Sequence, residues 1–101
     1  MYVSGQLPIN PITGEQVFDN IEAQTKQVLD NLNEILIAAN SSREKVLKTT
    51  VYITDIKLWD QVNKIYAVFF ADHRPARAVV PVKELHFGFQ IEIEAVAAVK
   101  G

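Results

Sequence analysis

Three charged residues stand where the surrounding pattern calls for burial, and their types suit acid–base chemistry on a small carboxylate. Arg77 lies in Pro75-Ala76-Arg77-Ala78-Val79-Val80, between a proline and an apolar run ending at Val82. A strand there would hold its guanidinium near dry sheet, where a carboxylate is the best planar partner. Glu92 and Glu94 sit two apart in Gln90-Ile91-Glu92-Ile93-Glu94-Ala95. Strict alternation puts both carboxylates on one face of a strand and Ile91, Ile93 and Ala95 on the other. A cation and an anion from neighbouring strands would then converge on one small pocket. Same-face positions are about 6.6 Å apart, so the two acids can couple without sharing a proton. The residues alone leave two readings open. Arg77 either closes a structural ion pair with Glu92 or Glu94 or faces a ligand, and alternating acids also decorate solvated strand faces.

The elements that would position these groups follow from periodicity. Tyr2 to Ser4 reads as a short strand before the turn-rich loop Leu7 to Gly14. Asp19 with Glu22 makes a capping-box-like start, after which Ile21, Val28, Leu32, Ile35, Leu36 and Ala39 recur at helical spacing up to Asn40. Ser41 with Glu44 can cap a short turn. From Val46 to Thr54 the chain alternates, with Leu47, Thr49, Val51 and Ile53 facing one way and Lys48, Thr50, Tyr52 and Thr54 the other. A second helix is expected from Leu58 to Ala71, its apolar side formed by Trp59, Val62, Tyr66, Phe69 and Phe70. Strands Ala76 to Val82 and Gln90 to Val99 complete the order strand, helix, strand, helix, strand, strand. That order predicts an α+β domain, a mixed sheet with two helices packed on one face. The other face, read as apolar, then needs cover, which a second copy of a chain this small would supply.

Composition narrows the function. The 101 residues make one domain, 1–101, and 49% hydrophobic with 22% charged residues is the balance of a folded globular protein. A net charge of −2 offers no long-range attraction to nucleic acid or anionic membrane. Without cysteine there is neither thiolate nucleophile nor zinc–thiolate site. His73 and His86 lack ligand spacing, so no metal and no cofactor is expected. Lys48 on the wetter strand face reads as solvated or paired. No basic leader or apolar run near the roughly 20 residues of a membrane span is visible, and a cytoplasmic protein is expected.

With Val3-Ser4-Gly5-Gln6, Lys48-Thr49-Thr50-Val51 and Val62-Asn63, these segments resemble, in order and spacing from Val3 to Ala98, the RidA/YjgF/UK114 family of small trimeric enamine/imine deaminases. The resemblance implies a chorismate-mutase-like fold, three subunits closing a central β-barrel with helices outside, and a cleft at each subunit interface. It implies that Arg77 clamps the substrate α-carboxylate and that Glu92 holds or activates the hydrolytic water, with Glu94 more structural. Ser4, Asn63 and Val79 would line the cleft, the last through its backbone. The implied reaction is hydrolysis of short 2-imino acids, formed from enamines such as 2-aminoacrylate, to 2-oxo acids and ammonia. Three departures stand out, one being that Ala78 and Val79 occupy the family's small-residue and cysteine positions after the arginine. Family members usually carry a further N-terminal strand with a Gly-Pro-Tyr segment whose tyrosine joins the cleft, and here Met1 falls where the next strand begins. Leu85-His86-Phe87-Gly88 replaces a Leu-Pro-containing loop. Other readings within the resemblance are a trimeric sensor of 2-oxo acids and, from older family names, translation inhibition by RNA cleavage, against which the acidic balance counts.

Overall fold

Apolar periodicity places both helices on one side of the sheet. The computed structural model describes residues 1–99 and runs β1 (Tyr2–Gln6), α1 (Ile21–Ala38), β2 (Val46–Ile53), α2 (Trp59–Phe70), β3 (Ala76–Pro81) and β4 (Ile91–Ala97). In α1, Ile21, Val28, Leu29, Leu32 and Leu36 are buried against the sheet. Its N-cap is Asn20 rather than Asp19: the Asn20 side chain accepts from the Ala23 N–H at 2.7 Å. At the other end Asn40 takes φ 61°, as expected of a residue that tolerates left-handed backbone. The Ser41 N–H then donates to Leu36 O at 2.8 Å and the Asn40 N–H to Ile37 O at 3.0 Å, closing the helix. The Ser41 side chain does not cap the following turn; its hydroxyl donates to Ala98 O at 2.6 Å.

The four strands form one sheet in the order β1-β4-β2-β3. β4 runs antiparallel to both β1 and β2, while β2 and β3, joined through α2, are parallel. This is the expected mixed sheet with two helices on one face. Inward-facing Thr49, Val51, Ile53, Ile91, Ile93, Ala95 and Ala97 meet the helices. Each large aliphatic side chain so buried contributes about 1.5–3 kcal/mol. Leu47 was expected inside but is 59% exposed, and Val46 is fully buried in its place. A register shift between Val46 and Lys48 reverses the alternation at that point.

The sheet's open face departs from the apolar surface expected of it. It carries Tyr2, Thr50, Tyr52, Glu92, Glu94 and Val96, so it is polar and aromatic. Among the described residues no helix is long and apolar enough to cross a membrane.

Candidate functional site

Arg77 pairs in register with Thr49, a fully buried residue beneath the helices, so its side chain leaves β3 on the helix side. The strand is at the sheet edge, however, and Arg77 is exposed rather than held in dry sheet. Three residues of α2, at spacings of four and three, hold it: Trp59, Asn63 and Tyr66 share one helix face. The guanidinium carbon lies 4.5 Å from the Trp59 ring centroid and 5.1 Å from that of Tyr66. Such contacts contribute about 0.5–1 kcal/mol each at exposed sites. Nη1 donates to Asn63 Oδ1 at 3.2 Å. Tyr66 is itself fixed by a 2.7 Å hydrogen bond with Thr49, and burial raises its phenol pKa. No carboxylate pairs with Arg77 among the described residues, which removes the ion pair with Glu92 or Glu94; the ion pair present is Lys26–Asp30. The guanidinium faces a groove of about 460 Å³ lined by Asn63, Tyr66, His73, Arg74 and Arg77.

Glu92 stands elsewhere. It pairs with Tyr52 on the open face, and β2 separates its strand from β3. The expected convergence of Arg77 and Glu92 from neighbouring strands therefore does not occur within one chain. The strands are not neighbours, and the two side chains leave opposite faces of the sheet. Glu92 lies against Gly5: a Cβ built there would come 2.7 Å from the Glu92 carboxyl carbon. The β1 register shifts between Val3 and Gln6, and this brings the glycine over the acid. Partial burial raises the Glu92 pKa, the Glu94 charge raises it further, and His86 opposes them weakly.

Glu94 has the opposite environment. Tyr2 donates to its Oε2 at 2.5 Å and Tyr52 to its Oε1 at 2.9 Å, and these bonds lower its pKa. Two like acids on one strand face are thus split by their neighbours: the pKa of Glu94 is lowered and that of Glu92 raised.

The other expected site residues divide along the same line. Asn63 and half-buried Val79 lie on the Arg77 side, Val79 paired with Val51. Ser4 is exposed on β1 beside Gly5, and its carbonyl accepts from Gln6 Nε2 at 3.1 Å. Lys48 and His86 are exposed. Trp59, Tyr66, Gly5, Tyr2 and Tyr52 escaped the residue-level reading. The spacing of Trp59, Asn63 and Tyr66 was visible as one helix stripe, but aromatic residues at that spacing read as core. Nothing local marks Gly5 as the neighbour of a residue so distant in sequence.

Comparison with known proteins places these features in a family. The sequence profile of the family described as endoribonuclease L-PSP matches residues 1–99. Human 2-iminobutanoate/2-iminopropanoate deaminase is 43% identical over 97 residues, covering 96% of this chain and 71% of its own. The crystal structure of YyfA from Yersinia pestis, a protein of unknown function of the conserved Rid family, superposes with a TM-score of 0.94 at 47% identity, over 97% of this chain and 79% of that one. Escherichia coli TdcF with bound serine superposes at 0.91 with 35% identity, over 98% and 80% of the two chains.

Proposed function

The chain belongs to the endoribonuclease L-PSP family, the group of the RidA/YjgF proteins, and from that premise we propose that it hydrolyses short 2-imino acids and their enamine tautomers to 2-oxo acids and ammonia. The observation that carries the reading is the Arg77 fork, held by Trp59, Tyr66 and Asn63 and turned to an open groove without a carboxylate of its own. A planar fork so prepared suits the carboxylate of an imino acid and fixes the neighbouring imine carbon.

Glu92 supplies the proton transfers. Its carboxylate takes a proton from water as the water oxygen bonds to the imine carbon and the C=N π pair moves to nitrogen. The protonated acid then returns that proton to nitrogen, giving the neutral carbinolamine; Glu92 next takes the hydroxyl proton and passes it to the amine nitrogen, so that C=O forms as the C–N bond breaks and ammonia leaves. Since Arg77 and Glu92 leave opposite faces of one sheet, a site using both is made by two copies. The open face of one meets the β3 edge of the next, and a closed ring of three, with the open faces turned into a central barrel, satisfies every copy equally. The human relative, named for this deamination, supports the reaction class.

The test is substitution at each half. Arg77→Lys replaces a fork by a point charge and should lower both turnover of freshly generated 2-aminoacrylate and binding of 2-oxobutanoate by roughly 30- to 150-fold. Glu92→Gln should retain binding and lose ammonia release. A second reading, binding of small carboxylates without turnover, is favoured by the serine held in TdcF. It replaces the first if the wild-type protein binds 2-oxobutanoate through Arg77 but releases no ammonia above the uncatalysed rate.

A further inference from the structure

The groove in front of Arg77 holds a second cation that the proposed reaction does not use. Arg74 lines it three residues before Arg77, and no carboxylate is among the lining residues. In the single chain, before the proposed next copy closes over it, the groove measures about 460 Å³, within the range of roughly 300–1,000 Å³ typical of small-molecule sites.

The loop carrying Arg74 is also fixed. The His73 N–H donates to Phe70 O at 3.0 Å, closing a reverse turn. Ala71 takes φ 53° and ψ −117° in it, the first corner of a type II′ turn, where glycine is usual. A His73 ring nitrogen lies 2.7 Å from Val46 O, and Pro75 stiffens the chain on the other side of Arg74. The α-carbons of Arg74 and Arg77 are at most about 10 Å apart along the chain. Arg74 and Arg77 thus line one groove from positions close enough along the chain for both side chains to reach a four- or five-carbon diacid.

We propose that Arg74 is a second anion-binding residue, and that this chain prefers dicarboxylic 2-imino and 2-oxo acids, with Arg77 on the α-carboxylate and Arg74 on the distal one. The inference rests on the carboxylate-clamp role of Arg77. Calorimetric titration with 2-oxoglutarate and with 2-oxopentanoate, of equal carbon count but lacking the distal carboxylate, separates the two ideas. The wild-type protein should bind the diacid about tenfold more tightly, the size of one hydrogen-bonded charge contact. Arg74→Gln should bring the affinity ratio near one, and Arg74→Lys should keep most of it. Equal wild-type affinities, or a preference that survives Arg74→Gln, would overturn the Arg74 assignment while leaving the clamp intact. If neither acid binds the wild-type protein, the clamp fails and the inference with it.

Discussion

Two glutamates of the same strand face are set apart by side-chain environment rather than by residue type. Tyr2 and Tyr52 donate to Glu94 and keep it ionised, whereas partial burial beside that charge raises Glu92. Glu92 must be deprotonated to accept a proton from water. Activity as kcat/KM should therefore fall with decreasing pH along a limb set by Glu92, displaced upward from that of a free carboxylate, and Glu92→Gln should remove that limb with the activity. Stability carries the same signature with a defined sign. A raised folded-state pKa means that ionised Glu92 destabilises the fold, so Glu92→Gln should raise the thermal midpoint at neutral pH and have no such effect below about pH 4. A limb at the position of a free carboxylate would mean that Glu92 is not the base. At this scale much was legible: alternation alone put both acids on one face and Ile91, Ile93 and Ala95 on the other. The split between the acids was not, because Tyr2 and Gly5 come from the far end of the chain and are brought there by strand pairing.

Secondary structure was readable wherever a local period determined it. Both helices, the left-handed Asn40 and the order of elements followed from spacing and turn chemistry, although Asn20 rather than Asp19 caps α1 and the Ser41 side chain caps nothing. The larger errors lie where long-range pairing decides. The shift at Val46 exchanges Leu47 for Val46 in the core, and insertion of β2 between β4 and β3 carries Arg77 away from Glu92. Neither has a local signal. The α2–β3 connection shows a local rule broken: Ala71 sits at φ 53° where glycine is favoured, and Arg74 and Arg77, which line one groove, follow directly after this turn. Left-handed backbone costs an alanine about 1–2 kcal/mol, and a glycine adds about 0.4–1 kcal/mol of unfolded-state entropy, so Ala71→Gly should stabilise by a net of about 0.5–1 kcal/mol. Thermal unfolding reads this as a midpoint higher by a few degrees, and a lower midpoint would show that the turn is not strained.

At the scale of the whole molecule, the sheet carries the two proposed half-sites and keeps them apart. The helix face presents Arg77 at the β3 edge, and the open face presents Glu92 under Gly5. The open face, with its tyrosines and paired acid, has the mixed polar and aromatic character of a surface that meets another copy. A deaminase that uses both residues must then be an assembly in which each site draws on two chains. Mixing two inactive variants tests this most directly. Arg77→Lys and Glu92→Gln chains, unfolded and refolded together in equal amounts, should regain ammonia release up to about a quarter of the wild-type rate. That is the fraction of sites in a closed ring that join an intact Arg77 to an intact Glu92 from the next chain. Co-refolded rings no more active than either variant alone would contradict a site shared between copies.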